Sequence, residues 1–142
     1  MARQTFRGHI PDGLLYDVEY DMWVRTTGGE VFVGATSFGI HLAGEIIAFT
    51  AKPRGANVER GRGLGTIECA KTVLAVHAPL SFTLLVGNDG LEEHPIQINR
   101  APYDVWMARG MPTDWDNDLA RLVDAAAYRA HVLRLEPAAQ FT

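Results

Sequence analysis

Lys71 is one of only two lysines in a chain whose other basic side chains are eleven arginines. It stands in "GTIECAKTVLAV", residues 65 to 76, between two apolar runs. A lysine amine does chemistry in two ways: neutral, it attacks a carbonyl, or it anchors an acyl group in amide linkage. Both need a presented amine, and an ordinary solvated surface lysine is the third reading of the same residue. Local pattern does not choose between them. The stretch has no Asn-Gly or Asp-Gly at its middle, and "ECAKTVLAVHA" reads as helix as readily as hairpin.

The other reactive residue types do not assemble into a site. The histidines are His9, His41, His77, His94 and His131, and no two stand three or four apart as a metal pair on a helix would. "GRGLG", residues 61 to 65, lacks the Gly-Lys-Ser/Thr ending of a phosphate loop and reads as turns between strands. "HAPLS" sets a serine near a histidine, but a triad is a matter of geometry, not adjacency. Cys69 is the only cysteine, so one chain forms no internal disulfide and no cysteine-rich zinc site.

Composition narrows the partners. Net charge is −4 with basic residues scattered, which leaves no electrostatic footprint for nucleic acid or an anionic membrane. No apolar run of about 18 residues occurs and the N-terminal segment has no apolar core, so the expectation is a cytoplasmic protein without signal peptide or span.

The elements that must position Lys71 are short strands. Residues 1–13 read as an N-terminal tail ending in the turn "IPDG", with order from Leu14. "MWVRTTGGEVFVGA" is a hairpin about Gly28-Gly29. Thr36 or Ser37 caps a short internal helix that Gly44 stops, and "EIIAFT" resumes a strand. Four glycines divide "PRGANVERGRGLGT" into turns. "TDWDNDLARLVDAAAYRAHVLRL" predicts one terminal helix with Leu119, Leu122, Val123, Ala126 and Ala127 on its apolar stripe, Thr113 to Asp118 at its start and Pro137 past its end. The reading is a single domain over 14–135 followed by a C-terminal tail, 136–142.

With these residues in view the chain resembles the glycine-cleavage H proteins, which are lipoyl carriers. The family pattern sets a Gly sixteen and a second Gly ten residues before its modified lysine, a Glu three before it, and a Pro after it. Gly55, Gly61, Glu68 and Pro79 fill those places around Lys71. Likeness continues through "YDVEYDMWVR", "GATSFGIHLAGEI", "LEEHPIQINRAPY" and "LVDAAAY". The resemblance implies a mainly β, flattened barrel-sandwich hybrid with Lys71 at a hairpin apex, and lipoate amide-linked to that lysine by a lipoate ligase or similar attachment machinery. It implies a carrier with no catalysis of its own, whose partners read Glu68, Ala70 and Thr72 around the arm. Cys69 shares strand parity with Lys71, and a buried inert thiol is favoured there over one that exchanges with the arm's dithiol.

Two departures bear on the pathway. Met22 and Phe38 stand where the family carries a Glu and a His lining the cleft for an aminomethyl-loaded arm, so the resemblance implies a more apolar arm cleft. Phe82 replaces an expected Gly, and "PYDVW" is shorter than the family's "PYGDGW". "IPDGLLYDVE", "LAGEIIAFTAKPRG" and Trp115-Asp116 are similar to the lipoate-binding proteins of the heterodisulfide-reductase-like sulfur-oxidation system. That likeness implies, as partners, a heterodisulfide-reductase-like complex and a dihydrolipoamide dehydrogenase. The glycine cleavage system, with glycine decarboxylase and aminomethyltransferase, is the second pathway. An unmodified binding paralogue and a Schiff-base lysine enzyme are the rival classes. A biotinyl carrier is disfavoured, because Ala70 and Thr72 flank the lysine where methionines are typical.

Overall fold

The computed structural model describes residues 4–70 and 72–142. Along the chain run β1 (Arg7–Gly8), β2 (Leu15–Asp17), β3 (Met22–Thr27), β4 (Glu30–Ala35), α1 (Ser37–Ala43), β5 (Ile46–Ala51), β6 (Asn57–Val58), β7 (Gly63–Cys69), β8 (Thr72–His77) and β9 (Phe82–Gly87). They are followed by α2 (Asp89–Glu93), α3 (Ile96–Arg100), β10 (Ala108–Pro112), α4 (Trp115–Leu119), β11 (Leu122–Val123), α5 (Ala125–Leu135) and β12 (Gln140–Phe141). A seven-stranded sheet, ordered β11-β2-β3-β4-β10-β9-β6, faces a three-stranded sheet, β5-β7-β8. The fold is mainly β, as expected, and the sheets remain open rather than closing into a barrel.

Strand alternation sorts β3 between two cores. Met22 and Val24 point into the core shared with β5, β7 and β8, while Trp23 between them points into a second core with Tyr16, Phe38 and Tyr128. Gly28 (φ 59°) and Gly29 (φ 81°) close the β3–β4 hairpin, the left-handed pair that a two-residue type I′ turn requires. Gly34 faces Trp23 across this hairpin, and a Cβ there would lie 2.6 Å from the indole. Trp23 instead lies flat across glycine and donates from Nε1 to the Pro102 carbonyl at 2.9 Å.

Thr36 caps α1 by accepting from the Gly39 amide at 3.0 Å, and Gly44 ends it at φ 89°. Two helices the strand-by-strand reading did not anticipate, α2 and α3, bury Leu91 and Ile98. Asn99 follows in α3 and grips the start of β5, accepting from the Ile46 amide at 2.9 Å and donating to its carbonyl at 2.8 Å.

The C-terminal region differs from the single helix predicted. It divides into α4, the strand β11 and α5, with β11 paired to β2 through Leu122↔Asp17 and Val123↔Tyr16. Asp124 causes the break: its backbone is extended and its carboxylate caps α5 at the Ala127 amide, 2.9 Å away. The buried positions of α5 are consequently Ala125, Tyr128 and Val132, while Ala126 and Ala127 face solvent and Leu119 is 40 % exposed.

The segments read as tails, 1–13 and 136–142, are not tails over their described residues. β1 and β12 pair in parallel through Arg7↔Gln140 and Gly8↔Phe141. Phe6 and Ile10 are buried, and the Phe6 amide donates to Glu136 Oε1 at 2.9 Å. Two apolar side chains in a polar-looking segment find the second core's open side; removing each from water is worth about 1.5–3 kcal/mol, which favours docking the strand over leaving it free.

Candidate functional site: the β7–β8 hairpin and its cleft

The β7–β8 hairpin is the structural centre of the sequence-predicted site. Cys69 pairs with Thr72, so only positions 70 and 71 separate the paired strands. Lys71 itself lies outside the described residues. The hairpin reading of the ambiguous stretch is the one realised, because β7 alternates: Ile67 and Cys69 turn inward while Thr66 and Glu68 turn out. Gly65 allows β7 to approach β5 closely. A Cβ on Gly65 would meet the Thr50 carbonyl oxygen of β5 at 2.4 Å.

Around the tip, Glu68, Ala70 and Thr72 are exposed. Glu68 lies between Ala48 of β5 and Val73 of β8 on the outward face. Val73 is 60 % exposed there, and Ile47, thrown outward by a bulge in β5, is 53 % exposed. Cys69 lies below this surface, 6 % exposed, and burial pushes its thiol above the ordinary range. An inward, protonated thiol is inert.

On the other side of β8 a cleft of about 130 Å³ opens. Leu74 to His77 form one wall and Met22, Ile40 and Ile67 supply much of its apolar lining. Met22 lines this cleft. Phe38 does not. It is fully buried on the opposite face of α1, edge-on to Phe6 at 5.3 Å between ring centroids, and Gly39, Ile40 and Ala43 face the cleft instead. The Thr36 cap fixes the phase of α1, and with it the face on which Phe38 falls.

Two polar residues lining the cleft, Tyr20 and Asp21, escaped the sequence reading. Tyr20 stacks on His77 with centroids 5.1 Å apart, and the Arg60 guanidinium carbon lies 5.2 Å from the Tyr20 ring centroid. Arg60 in turn donates to Asp17 Oδ2 at 2.7 Å; that carboxylate is fully buried and also accepts from the Glu19 and Tyr20 amides. Gly61, at φ 84°, admits the Tyr20 hydroxyl, which a Cβ would meet at 2.6 Å. The Gly61 carbonyl accepts from His77 Nδ1 at 2.9 Å, so a neutral His77 ring keeps Nε2 as its acceptor.

The second is Asp21, the non-glycine residue with positive φ (56°) among those described. Its Oδ1 accepts from Tyr128 Oη at 2.8 Å, and Thr36 Oγ1 lies 2.7 Å from the same hydroxyl. Burial raises the Asp21 carboxyl above the ordinary range, against an opposing pull from the Tyr128 hydrogen bond and the charge of His131. Two signals for Asp21 were present in the sequence: a residue type tolerant of left-handed backbone, and its place immediately before a strand.

Among the described residues no group of three His, Cys, Asp or Glu could hold a metal ion, and no helix is long and apolar enough to cross a membrane.

Comparison with known proteins gives the same answer from sequence and from fold. The family model described as glycine cleavage H-protein matches residues 14–134. The glycine cleavage system H protein of Anaeromyxobacter sp. (strain K) is 36 % identical over 124 residues, covering 87 % of this chain and 95 % of that one. That of Bacteroides thetaiotaomicron is 34 % identical over 125 residues, covering 87 % and 98 %. The crystal structure of a glycine cleavage system H protein from Mycobacterium marinum superposes with TM-score 0.73 at 26 % identity, covering 85 % of this chain and 97 % of that one. The chain belongs to the glycine cleavage H-protein family, lipoyl carriers that hold lipoate covalently on a lysine and have no catalytic activity of their own.

Proposed function

We propose that Lys71 carries the lipoate in amide linkage and that the chain serves as the H protein of a glycine cleavage system, receiving an aminomethyl group from glycine decarboxylase and presenting it to aminomethyltransferase. The observation that carries this reading is the hairpin whose paired Cys69 and Thr72 leave room for only two linking positions, one of them Lys71. A root held between paired strands fixes where an arm begins and leaves its length free. The arm adds a chain on the order of 10 Å, at ~1.5 Å per bond. At about 3.3 Å per residue along a strand, that length spans about three residues, from position 71 to Leu74 at the cleft wall. The relatives' names support the pathway: they are H proteins of glycine cleavage systems.

In this reading Glu68, Ala70 and Thr72, with exposed Val73 and Ile47 beside them, form the surface that a lipoate ligase and the partner enzymes recognise. The single buried thiol suits a reducing cytoplasm.

Met22 supports a second reading. A thioether in place of a carboxylate suits a less polar cargo, as in the lipoate-binding proteins of heterodisulfide-reductase-like sulfur oxidation. The discriminating experiment supplies lipoylated protein to purified glycine decarboxylase with labelled glycine. Transfer of label to the arm supports the glycine cleavage role. A lipoylated chain that accepts no label, but is reduced and reoxidised by a heterodisulfide-reductase-like complex, contradicts it.

A further inference from the structure

A second recess shares α1 with the arm cleft. It is an open groove of about 500 Å³ walled by residues 6–9, by α1 and by residues 99–104, and Ile40 lines both recesses. β1, which supplies the first wall, and its partner β12 fall outside residues 14–134, so this wall is not part of the family match. Two of the departures noted in the sequence also meet here. Phe38 packs edge-on against Phe6 at 5.3 Å, and the shortened "PYDVW" supplies Pro102, Tyr103 and Asp104 to the lining.

The walls are fixed without a ligand. Burial alternates along residues 6–10, with Phe6 and Ile10 inward and Arg7 and His9 exposed. The Gln140 amide donates to the Phe6 carbonyl at 3.0 Å, the Thr142 amide to the Gly8 carbonyl at 2.9 Å, and Ser37 Oγ to the His9 carbonyl at 2.6 Å. The Tyr103 hydroxyl accepts from the Ser37 amide at 3.0 Å, which ties the third wall to α1.

Four basic side chains, Arg7, His9, His41 and Arg100, line this groove against one carboxylate, Asp104. The imidazoles are engaged: His41 Nε2 lies 3.2 Å from Glu136 Oε2, and His9 Nδ1 lies 2.9 Å from the Thr142 carbonyl oxygen. The guanidinium groups of Arg7 and Arg100 make no hydrogen bond or ion pair among the described residues, with Asp104 or any other. One exposed arginine is ordinary. Two that share a recess of ligand size, with rigid walls and no carboxylate taking either, fit an anion that arrives from outside.

We infer that this groove binds a small organic anion, its carboxylate or phosphate held by Arg7 and Arg100 and its apolar body set against Phe6, Ile40 and Pro102. A guanidinium presents a planar fork of N–H donors that matches either head group. The volume falls within the range of small-molecule sites, about 300–1,000 Å³, which favours a ligand over a docked protein segment. The site needs neither Lys71 nor its arm, and it stands or falls apart from the pathway.

The test titrates the full chain, isotopically labelled, with benzoate, phenyl phosphate and neutral benzyl alcohol, and reads amide shifts by NMR. At least one anion should saturate at millimolar concentration or below, with shifts confined to β1, α1 and residues 99–104, while the alcohol binds more weakly. Saturation by benzoate alone identifies a carboxylate head, by phenyl phosphate alone a phosphate, and by both a site that reads charge. Affinity should fall as salt is raised. Arg7→Gln with Arg100→Gln should weaken binding about tenfold or more, through the loss of two charge-assisted contacts. That variant should melt as wild type does, since neither side chain has a partner to lose among the described residues. No saturation by either anion, shifts centred on the arm cleft, an affinity indifferent to salt, or one unchanged in the double variant overturns the inference.

Discussion

Tyr128 of α5 donates its hydroxyl to Asp21 across 107 residues of sequence, 2.8 Å from oxygen to oxygen. The C-terminal helix thus braces the cleft wall from behind, with Thr36 Oγ1 completing the buried triangle. Tyr128→Phe removes the brace and keeps the ring, which stacks on Tyr16 at 4.8 Å. The expected cost is about 1–2 kcal/mol in chemical denaturation. The Asp21 carboxyl should titrate still higher, because the lost hydrogen bond favoured its ionised form. An unchanged midpoint would separate Tyr128 from the cleft.

Asp21 sets a pH dependence whose sign is fixed. Its folded carboxyl is raised above the ordinary value of 3.8, so the folded chain holds that proton more tightly than the unfolded one. The associated stability is fully present below 3.8 and is lost as pH rises through the folded midpoint. Asp21→Asn accepts the same backbone and Tyr128 hydrogen bond without ionising. The melting temperature of Asp21→Asn relative to wild type should therefore climb between pH 4 and pH 8. A flat difference would mean that the carboxylate is not destabilised in the fold.

Gly61 answers to Tyr20. Alanine there meets both a left-handed backbone and the Tyr20 hydroxyl, so Gly61→Ala should cost roughly 1–3 kcal/mol. Part of that cost belongs to a single oxygen atom. In a Tyr20→Phe background the same substitution should cost less, and a double-mutant cycle on unfolding free energies reads the difference. Strict additivity would assign the whole penalty to the backbone.

The N-terminal strand is structural. Phe6 is 3 % exposed, edge-on to Phe38 and close to His41, with ring centroids 5.4 Å apart. Phe6→Ala should lower stability by about 3–5 kcal/mol, as truncation of a core aromatic does. A loss under 1 kcal/mol, measured by denaturant unfolding of the intact chain, would return the segment to the status of a tail.

What could be read in the sequence was what local chemistry dictates. The β3–β4 hairpin is written in Gly28-Gly29, and α1 in Thr36 and Gly44, since turn and cap residues act on their immediate neighbours. The terminal helix was overextended because Leu122 fits a helical stripe as well as a strand, and only pairing with β2 decides it. Phe6 and Ile10 looked like tail residues because their partners lie at the other end of the chain. The site divides in the same way. Lys71 and its flanking Gly61, Glu68 and Pro79 were visible through family resemblance, and position alone gave no rank to Asp21, whose significance rests on Tyr128, a side chain 107 residues away. Phe38 was assigned to the cleft by alignment of residue types; helix phase, which alignment does not carry, turned it to the other core.

The central claim concerns Lys71. The purified chain is incubated with lipoate, ATP and a lipoate ligase, its intact mass is recorded, and its peptides are mapped; Lys71→Arg is treated in parallel. The account predicts one lipoyl increment, located on Lys71 and missing from the Arg variant, which keeps the wild-type melting behaviour. An increment on Lys52, or one that persists in Lys71→Arg, would contradict the site, and no increment by ligation or octanoyl transfer would contradict a lipoyl carrier altogether.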